Sequence, residues 1–147
     1  MRVGDVASRG RAALLQILDD TIAEAHESEG PVSAIIVHTH SGRSVHIRVS
    51  TRTAGTWQST KSLRDGKAVR DPGRLWAFVM VGKRTDSIEP VAFLAYEADV
   101  RRDIDDDVQK WFEHGGHGDP SVKDHGHTAI TEKRVRSLAR PFDELLA

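Results

Sequence analysis

Residues 44–52, with the sequence SVHIRVSTR, decide the fold of this chain. Apolar and polar side chains alternate along them, with Val45, Ile47 and Val49 on one face and His46, Arg48, Ser50 and Arg52 on the other. A period of two over this length predicts a β-strand that is buried on one face. The polar face carries two guanidinium groups and no carboxylate, so we expect it to meet an anionic neighbour or partner.

The charge of the chain is distributed unevenly around this strand. The formal net charge is -1, but the segment from Arg43 to Arg74 holds eight basic and two acidic residues. Its local charge is therefore +6, which leaves -7 for the other residues. Such asymmetry predicts a positive surface that faces an anionic partner, and the alternative interpretation is a solvated loop rich in lysine and arginine.

Length and composition limit the class of protein. A chain of 147 residues is of the size of one domain, so we predict a single domain over residues 1–147. The absence of cysteine excludes disulfide bonds and thiolate chemistry. No apolar segment approaches membrane-spanning length and the first residues lack an apolar signal core, so we expect a cytoplasmic protein with no membrane partner.

Hydrophobic periodicity and turn signals predict the order of helices and strands. We expect an amphipathic helix over 6–27, strands over 32–39, 44–52, 75–81 and 90–95, a second helix over 97–112, a loop rich in glycine and histidine over 115–126, and a last short helix from Pro141. This order predicts an α/β fold with a mixed four- to five-stranded sheet flanked by helices.

With these elements in place, the chain resembles the PD-(D/E)XK nuclease superfamily, whose fold is called restriction-endonuclease-like. It is most similar to small uncharacterised members in which a strand Ile-Gln-Val-Lys-Thr leads to Gly-Xaa-Trp. The matching stretches are Ile47-Arg48-Val49-Ser50-Thr51, Gly55-Thr56-Trp57, Trp76-Ala77-Phe78-Val79, Lys110-Trp111 and the loop around Asp124. The resemblance implies one restriction-endonuclease-like core of the αβββαβ type.

The resemblance also implies where a reaction centre would lie. In that superfamily an Asp and a Glu or Gln hold Mg²⁺, and a Lys two residues later activates the attacking water. Transferred onto this chain, the Glu or Gln position is Arg48, the Lys position is Ser50, and the Asp position falls near Ala34. Because a guanidinium cannot bind Mg²⁺, we expect no catalytic activity and no cofactor.

We therefore expect a non-catalytic nuclease-fold module that binds nucleic acid or a protein partner through the basic face of its central strand. The candidate binding residues are Arg48, Ser50, Arg52, Trp57, Lys61, Arg64 and Arg70. The basic side chains would contact phosphates and Trp57 would stack on a base. The alternative interpretations are that Trp57 anchors the core and that the arginines pair with acids of the first or last helix.

Two other function classes stay open. One is a divergent DNA nuclease that uses Mg²⁺ and whose carboxylates have moved, for example to Glu24 or Glu27 at the end of the predicted first helix. The other is a homodimeric structural or interaction protein that uses a sheet edge or the acidic second helix. A metal site at His38, His40 and His46 is a further alternative, which competes with ordinary surface histidines.

Overall fold

The alternating stretch of the sequence forms the central strand of a five-stranded sheet. The structure is a computed structural model that describes residues 3–30, 32–60, 69–83, 88–113 and 127–147. Its elements are α1 (Val3–Leu18), β1 (Ile22–Glu27), β2 (Ala34–Thr39), β3 (Ser44–Arg52), β4 (Trp57–Thr60), β5 (Arg74–Met80), β6 (Val91–Tyr96), α2 (Glu97–Glu113), β7 (His127–Ile130), α3 (Glu132–Leu138) and α4 (Phe142–Leu145).

The strand order of the main sheet is β1-β2-β3-β5-β6. Strands β3 and β5 run parallel, whereas the other neighbouring pairs are antiparallel. Strands β4 and β7 form a separate two-stranded antiparallel sheet. The predicted α/β class and the mixed sheet are therefore confirmed, and the restriction-endonuclease-like core stays a prediction.

The two faces of β3 differ as the alternation predicted. Val45, Ile47 and Val49 are buried in a core that includes Leu14 and Leu18 of α1. His46, Arg48, Ser50 and Arg52 are only partly buried and point to the opposite face. The apolar face gains stability from removing its side chains from water, so this strand holds α1 on the sheet.

Helix α1 approaches β3 closely because a glycine faces the sheet. A Cβ atom added to Gly10 would meet the Thr51 Oγ1 atom at 1.8 Å and its Cγ2 atom at 2.6 Å. Carbon and oxygen atoms cannot approach so closely without displacement of the helix or of Thr51. Gly10 thus sets the distance between α1 and the sheet.

The apolar run after Arg74 is the fully buried strand that its composition predicted. Leu75 to Val79 are buried on both faces of β5, and Val81 directly after the strand is buried as well. Odd-numbered members pack on the α1 side, whereas Trp76 and Phe78 pack on the other side with Val100 and Ile104 of α2. A strand that is paired on both sides and covered on both faces has no contact with water, so its side chains can all be apolar.

The prediction of one helix over residues 6–27 is wrong. Helix α1 ends at Leu18, a turn follows, and Ile22–Glu27 is the edge strand β1, paired antiparallel with β2. Ile22 continues the apolar stripe of the helix and is also the buried residue of the strand, so both interpretations fit its pattern. The backbone hydrogen bonds to β2 outweigh the weak helical preference of this short segment.

The C-terminal half follows the predictions in part. Helix α2 begins at the predicted residue, and the short α4 follows Pro141, its N-cap residue. Strand β7 and helix α3 were not predicted, and the predicted loop over 115–126 lies outside the described residues. Among the described helices, none has the length and apolar character that crossing a membrane requires.

Candidate functional site

The polar face of β3 lies against aromatic rings. Parallel pairing with β5 sets Arg48 beside Trp76, and the Arg48 guanidinium lies over that ring, 4.9 Å from its centroid. Two residues on, the Ser50 hydroxyl oxygen accepts a hydrogen bond of 2.9 Å from the Trp76 Nε1–H. Ser50 therefore orients a buried indole in this structure.

Arg52 continues the row but is held inside the protein. Its guanidinium lies 3.8 Å from the centroid of the Trp57 ring, and its Nη2 donates to the Glu132 Oε1 at 2.8 Å. Only 10% of its side chain is exposed. The acid comes from α3, an element absent from the prediction, and not from the first or last helix. Arg52 therefore joins β3 to α3.

Trp57 is a core residue of the second cluster. It is 1% exposed, its Nε1–H donates to the Val79 carbonyl oxygen at 3.0 Å, and its ring is T-shaped to that of Phe78, with the two ring centroids 5.4 Å apart. A ring so enclosed has no face accessible to a base. The structure thus has Trp57 in the core, the alternative that the sequence left open, and we leave it out of the candidate surface.

Arg48 differs from Arg52 because it forms no ion pair within 4.0 Å with any acid of the described residues. Its guanidinium is half-buried, and burial lowers its pKa from the ordinary value, while the neighbouring Glu97 carboxylate opposes this shift and Arg101 adds to it. An arginine remains a cation at neutral pH in such surroundings. Arg48 thus contributes a positive charge that stacks on Trp76 and interacts with the first turn of α2.

Glu97 is the centre of a group of arginines. It is 6% exposed and accepts from Arg101 Nη2 at 2.8 Å, while Arg74 Nη1 stands 3.9 Å from its second carboxylate oxygen. Arg74 and Arg101 thus pair with this carboxylate, and the charge of Arg48 interacts with it electrostatically. Its place in the first turn of α2 also favours a negative charge, because the helix dipole is positive there.

Asp99, on the same helical turn, holds a second group. It is 8% exposed, and its Oδ1 lies 2.9 Å from Arg70 Nε and 3.6 Å from Arg102 Nη1. The hydrogen bond and the charge of Asp99 raise the pKa of Arg70, whose guanidinium also lies 5.1 Å from the centroid of Tyr96. About half of the Arg70 side chain, 49%, is exposed.

We call these side chains around the first turn of α2 the arginine surface: Arg48, Arg70, Arg74, Arg101 and Arg102. Of the predicted binding residues, the structure brings Arg48 and Arg70 to it, whereas Lys61 and Arg64 lie outside the described residues. The prediction omitted Arg74, Arg101 and Arg102. Arg101 and Arg102 lie on α2. Their spacing of four and three residues from Glu97 and Asp99 on a predicted helix was the available signal.

The positions that the nuclease resemblance assigned to metal ligands are neighbours in the sheet. Ala34 of β2 is the register partner of Arg48 of β3, and Ala34 is buried. Of the acids named as relocated ligands, Glu27 forms an ion pair of 2.7 Å with Arg11, and Glu24 is exposed on β1. Within the described ranges, no three His, Asp or Glu side chains are placed to hold one metal ion.

The three histidines of the predicted hairpin do not converge. The His38 Nδ1 lies 3.1 Å from the Ser44 Oγ, and its ring stacks with that of His26. The His40 Nε2 is 3.4 Å from the Asp20 carbonyl oxygen, at the connection between α1 and β1. His46 lies on the face of β3 that carries Arg48. These separate environments do not form the metal site that the sequence left open as an alternative.

A groove of about 590 Å³ lies between α2 and the segment that joins α3 to α4. Its lining contains Arg70, Arg102 and Arg140, together with acids that include Asp99 and Asp106. Charges of both signs line it, so it does not select an anion or a cation by itself. It extends the arginine surface from Arg70 towards Arg140.

Comparison of the chain with models of known protein families, with curated proteins and with solved structures gives no match.

Proposed function

We propose that this protein is a non-catalytic module on a nuclease-like scaffold that binds nucleic acid through the arginine surface. One observation carries the proposal: Arg74 and Arg101 pair with the buried carboxylate of Glu97, and the charge of Arg48 interacts with the same carboxylate, so three positive charges act on one negative charge. A local surplus of guanidinium groups attracts phosphates, which are the main source of affinity in nucleic-acid binding.

The exposure of these arginines supports contact with a partner. The side chain of Arg74 is 58% exposed and that of Arg70 is 49% exposed, although both take part in ion pairs. Guanidinium groups offer several donors, so a group that bonds one carboxylate oxygen can still donate to a phosphate. The sequence that precedes Arg70, residues 61–69, holds three basic residues and one acid, which adds positive charge along the chain.

The non-catalytic part of the proposal depends on the resemblance to PD-(D/E)XK nucleases. The strand pairing of Ala34 with Arg48 agrees with the transfer of two metal-ligand positions onto these residues. A methyl group and a guanidinium there replace two potential ligands, and the guanidinium charge repels a divalent cation. A nuclease-like scaffold that lacks the metal ligands but carries a basic surface is consistent with a protein that binds nucleic acid without cleaving it.

The test is the binding of a fluorescent DNA duplex, measured by anisotropy over a series of salt concentrations. We expect affinity to fall linearly with salt on logarithmic axes, and Arg48→Ala or Arg74→Ala to reduce the slope by about one each. The control is Lys133→Ala, which removes one positive charge from an exposed position on α3 and should leave the slope unchanged. Absence of binding at low salt would refute the proposal and would leave an acidic protein as the partner class to test.

The nuclease alternative has its own test. We expect plasmid DNA to stay intact when it is incubated with the protein and Mg²⁺ or Mn²⁺. Cleavage that EDTA stops and that Glu24→Gln or Glu27→Gln abolishes would contradict the non-catalytic proposal. A matched Asp143→Asn variant, which neutralises an exposed acid on α4, should leave such cleavage unchanged.

A further inference from the structure

Arginines cover the faces of the aromatic rings next to the proposed surface. Tyr96 has two of them, since the guanidinium carbons of Arg70 and Arg140 lie 5.1 and 5.4 Å from its ring centroid. The other pairs are Arg48 on Trp76, Arg52 on Trp57 and Arg136 on Phe93, at 4.9, 3.8 and 5.0 Å. The same arrangement thus recurs at four rings within the described residues.

These contacts decide what the surface can offer to a nucleic acid. Proteins that bind single strands without sequence preference stack bases on free aromatic faces. Trp57, Trp76 and Phe78 are buried, and both partners of Tyr96 are guanidinium groups. Among the side chains that the structure describes here, the rings are therefore buried or lie under guanidinium groups, and the groups that can bond a phosphate are the arginines.

The rings also limit the motion of the arginines. A guanidinium held on an aromatic face by a cation–π interaction keeps fewer rotamers than a free side chain. Less conformational entropy is then lost when it bonds a phosphate, so the contact costs less to form. Arg48 and Arg70 each combine such a ring contact with an interaction with a buried acid, Glu97 or Asp99.

We infer that the ligand of the arginine surface is the phosphate backbone of a double helix, bound without regard to base sequence. This inference rests on the proposed nucleic-acid function and specifies its substrate class. A duplex presents phosphates at a higher linear density than a single strand and at nearly fixed spacing. Cations that the fold holds in place match such a regular target, whereas an unpaired strand would require a free ring to bind its bases.

The experiment compares three probes with the unmodified protein at one salt concentration: two DNA duplexes of unrelated sequence, and an oligo-deoxythymidine with the same number of phosphates. We expect the two duplexes to bind with affinities within about fivefold of each other, because a single base read directly would already change affinity by about fivefold or more. The single strand should bind more weakly, with a shallower salt dependence. Tighter binding of the single strand, or a larger difference between the duplexes, would overturn the inference.

A variant of Tyr96 separates a positioning role of the ring from base stacking. Tyr96→Leu keeps an apolar side chain but removes the ring that Arg70 and Arg140 contact. If the ring only positions arginines, the variant loses affinity for duplex and single strand by the same factor, while circular dichroism shows it folded. A loss confined to the single strand would contradict the inference. Failure of the unmodified protein to bind any probe would instead refute the proposed function itself.

Discussion

The two faces of the central sheet are packed by different chemistry. On the face towards α1, the buried side chains are aliphatic, among them Leu14, Ile35, Ile47 and Leu75. On the opposite face, tryptophan and phenylalanine rings pack with α2 and α3, and arginines of β3 lie over the tryptophans. The first face needs only complementary shape, whereas the second must also satisfy charges and indole N–H groups.

On the aromatic face, two arginines of β3 have different surroundings, and we assign one to stability and the other to binding. Arg52 lies deep in the aromatic face, where its charge is paired with Glu132 and the position serves the fold. Arg48 lies on the same strand face, four residues earlier, and the acid that its charge interacts with, Glu97, also pairs with Arg74 and Arg101. Identical side chains on one strand thus serve structure at one end and, in our proposal, binding at the other.

The largest effect should come from the aromatic face. We expect Trp57→Ala to destabilise the fold by about 3–5 kcal/mol, since it removes a fully buried ring and leaves a cavity. Denaturant unfolding followed by circular dichroism measures the change. Trp57→Phe, which keeps most of the apolar volume, should cost clearly less. A loss below about 1 kcal/mol for Trp57→Ala would place it in the range of surface substitutions and would contradict its core role.

A smaller loss should come from the aliphatic face. Gly10→Ala should destabilise the protein by about 1–3 kcal/mol, because the added methyl group overlaps Thr51. The sign is informative, since the same change in an unpacked helix stabilises it by roughly 0.5–1 kcal/mol. Adding Thr51→Ala removes the two closest atoms and should recover part of the loss in the same unfolding measurement. A stabilised Gly10→Ala protein would show that α1 does not approach β3 so closely.

The next effect tests the ion pair that joins β3 to α3. A double-mutant cycle of Arg52→Ala and Glu132→Ala should give a coupling energy of about 1 kcal/mol, the range of partly buried ion pairs whose members are in contact. Arg52→Ala should leave the salt dependence of DNA binding unchanged, because its guanidinium faces the interior. A reduced salt slope in that variant would show that Arg52 reaches phosphates.

The smallest effect on stability should be that of Arg74→Ala. Its side chain is 58% exposed and its ion pair with Glu97 is long, 3.9 Å, so the free energy of unfolding should change by less than about 0.5 kcal/mol. The same variant should weaken duplex binding, which the anisotropy titration measures. If Arg74→Ala destabilised the protein as much as Arg52→Ala does, our division of the arginines into structural and binding ones would be wrong.

Much of the sheet could be predicted because its signals are local. The alternation in β3 and the continuous apolar run of β5 each follow from the burial of one or both faces, and both strands are where the sequence indicates. Strand β1 escaped prediction because Ile22 fits a helical and an extended pattern equally, and only its pairing with β2 decides between them. Helix α3 is seven residues long and has a single buried side chain, Val135, so its hydrophobic signal is weak.

The candidate site could be predicted only in part, for a similar reason. The basic character of Arg48 and Arg70 is visible in the sequence, and so is the absence of acids from the polar face of β3. Their carboxylate neighbours, Glu97 and Asp99, are separated from them by more than twenty residues and meet them because α2 begins at the end of β6 beside the sheet. No pattern within either segment specifies that contact.

The sequence by itself determined the α/β class, the central strand with its apolar and basic faces, and the concentration of positive charge between residues 43 and 74. These properties depend on side-chain period and composition, which act over a few residues. Only the tertiary structure decided which arginines are enclosed and which remain exposed. Burial and ion pairing depend on groups brought together from distant segments, so Trp57 and Arg52 became structural while the arginines around Glu97 retained a surplus of charge.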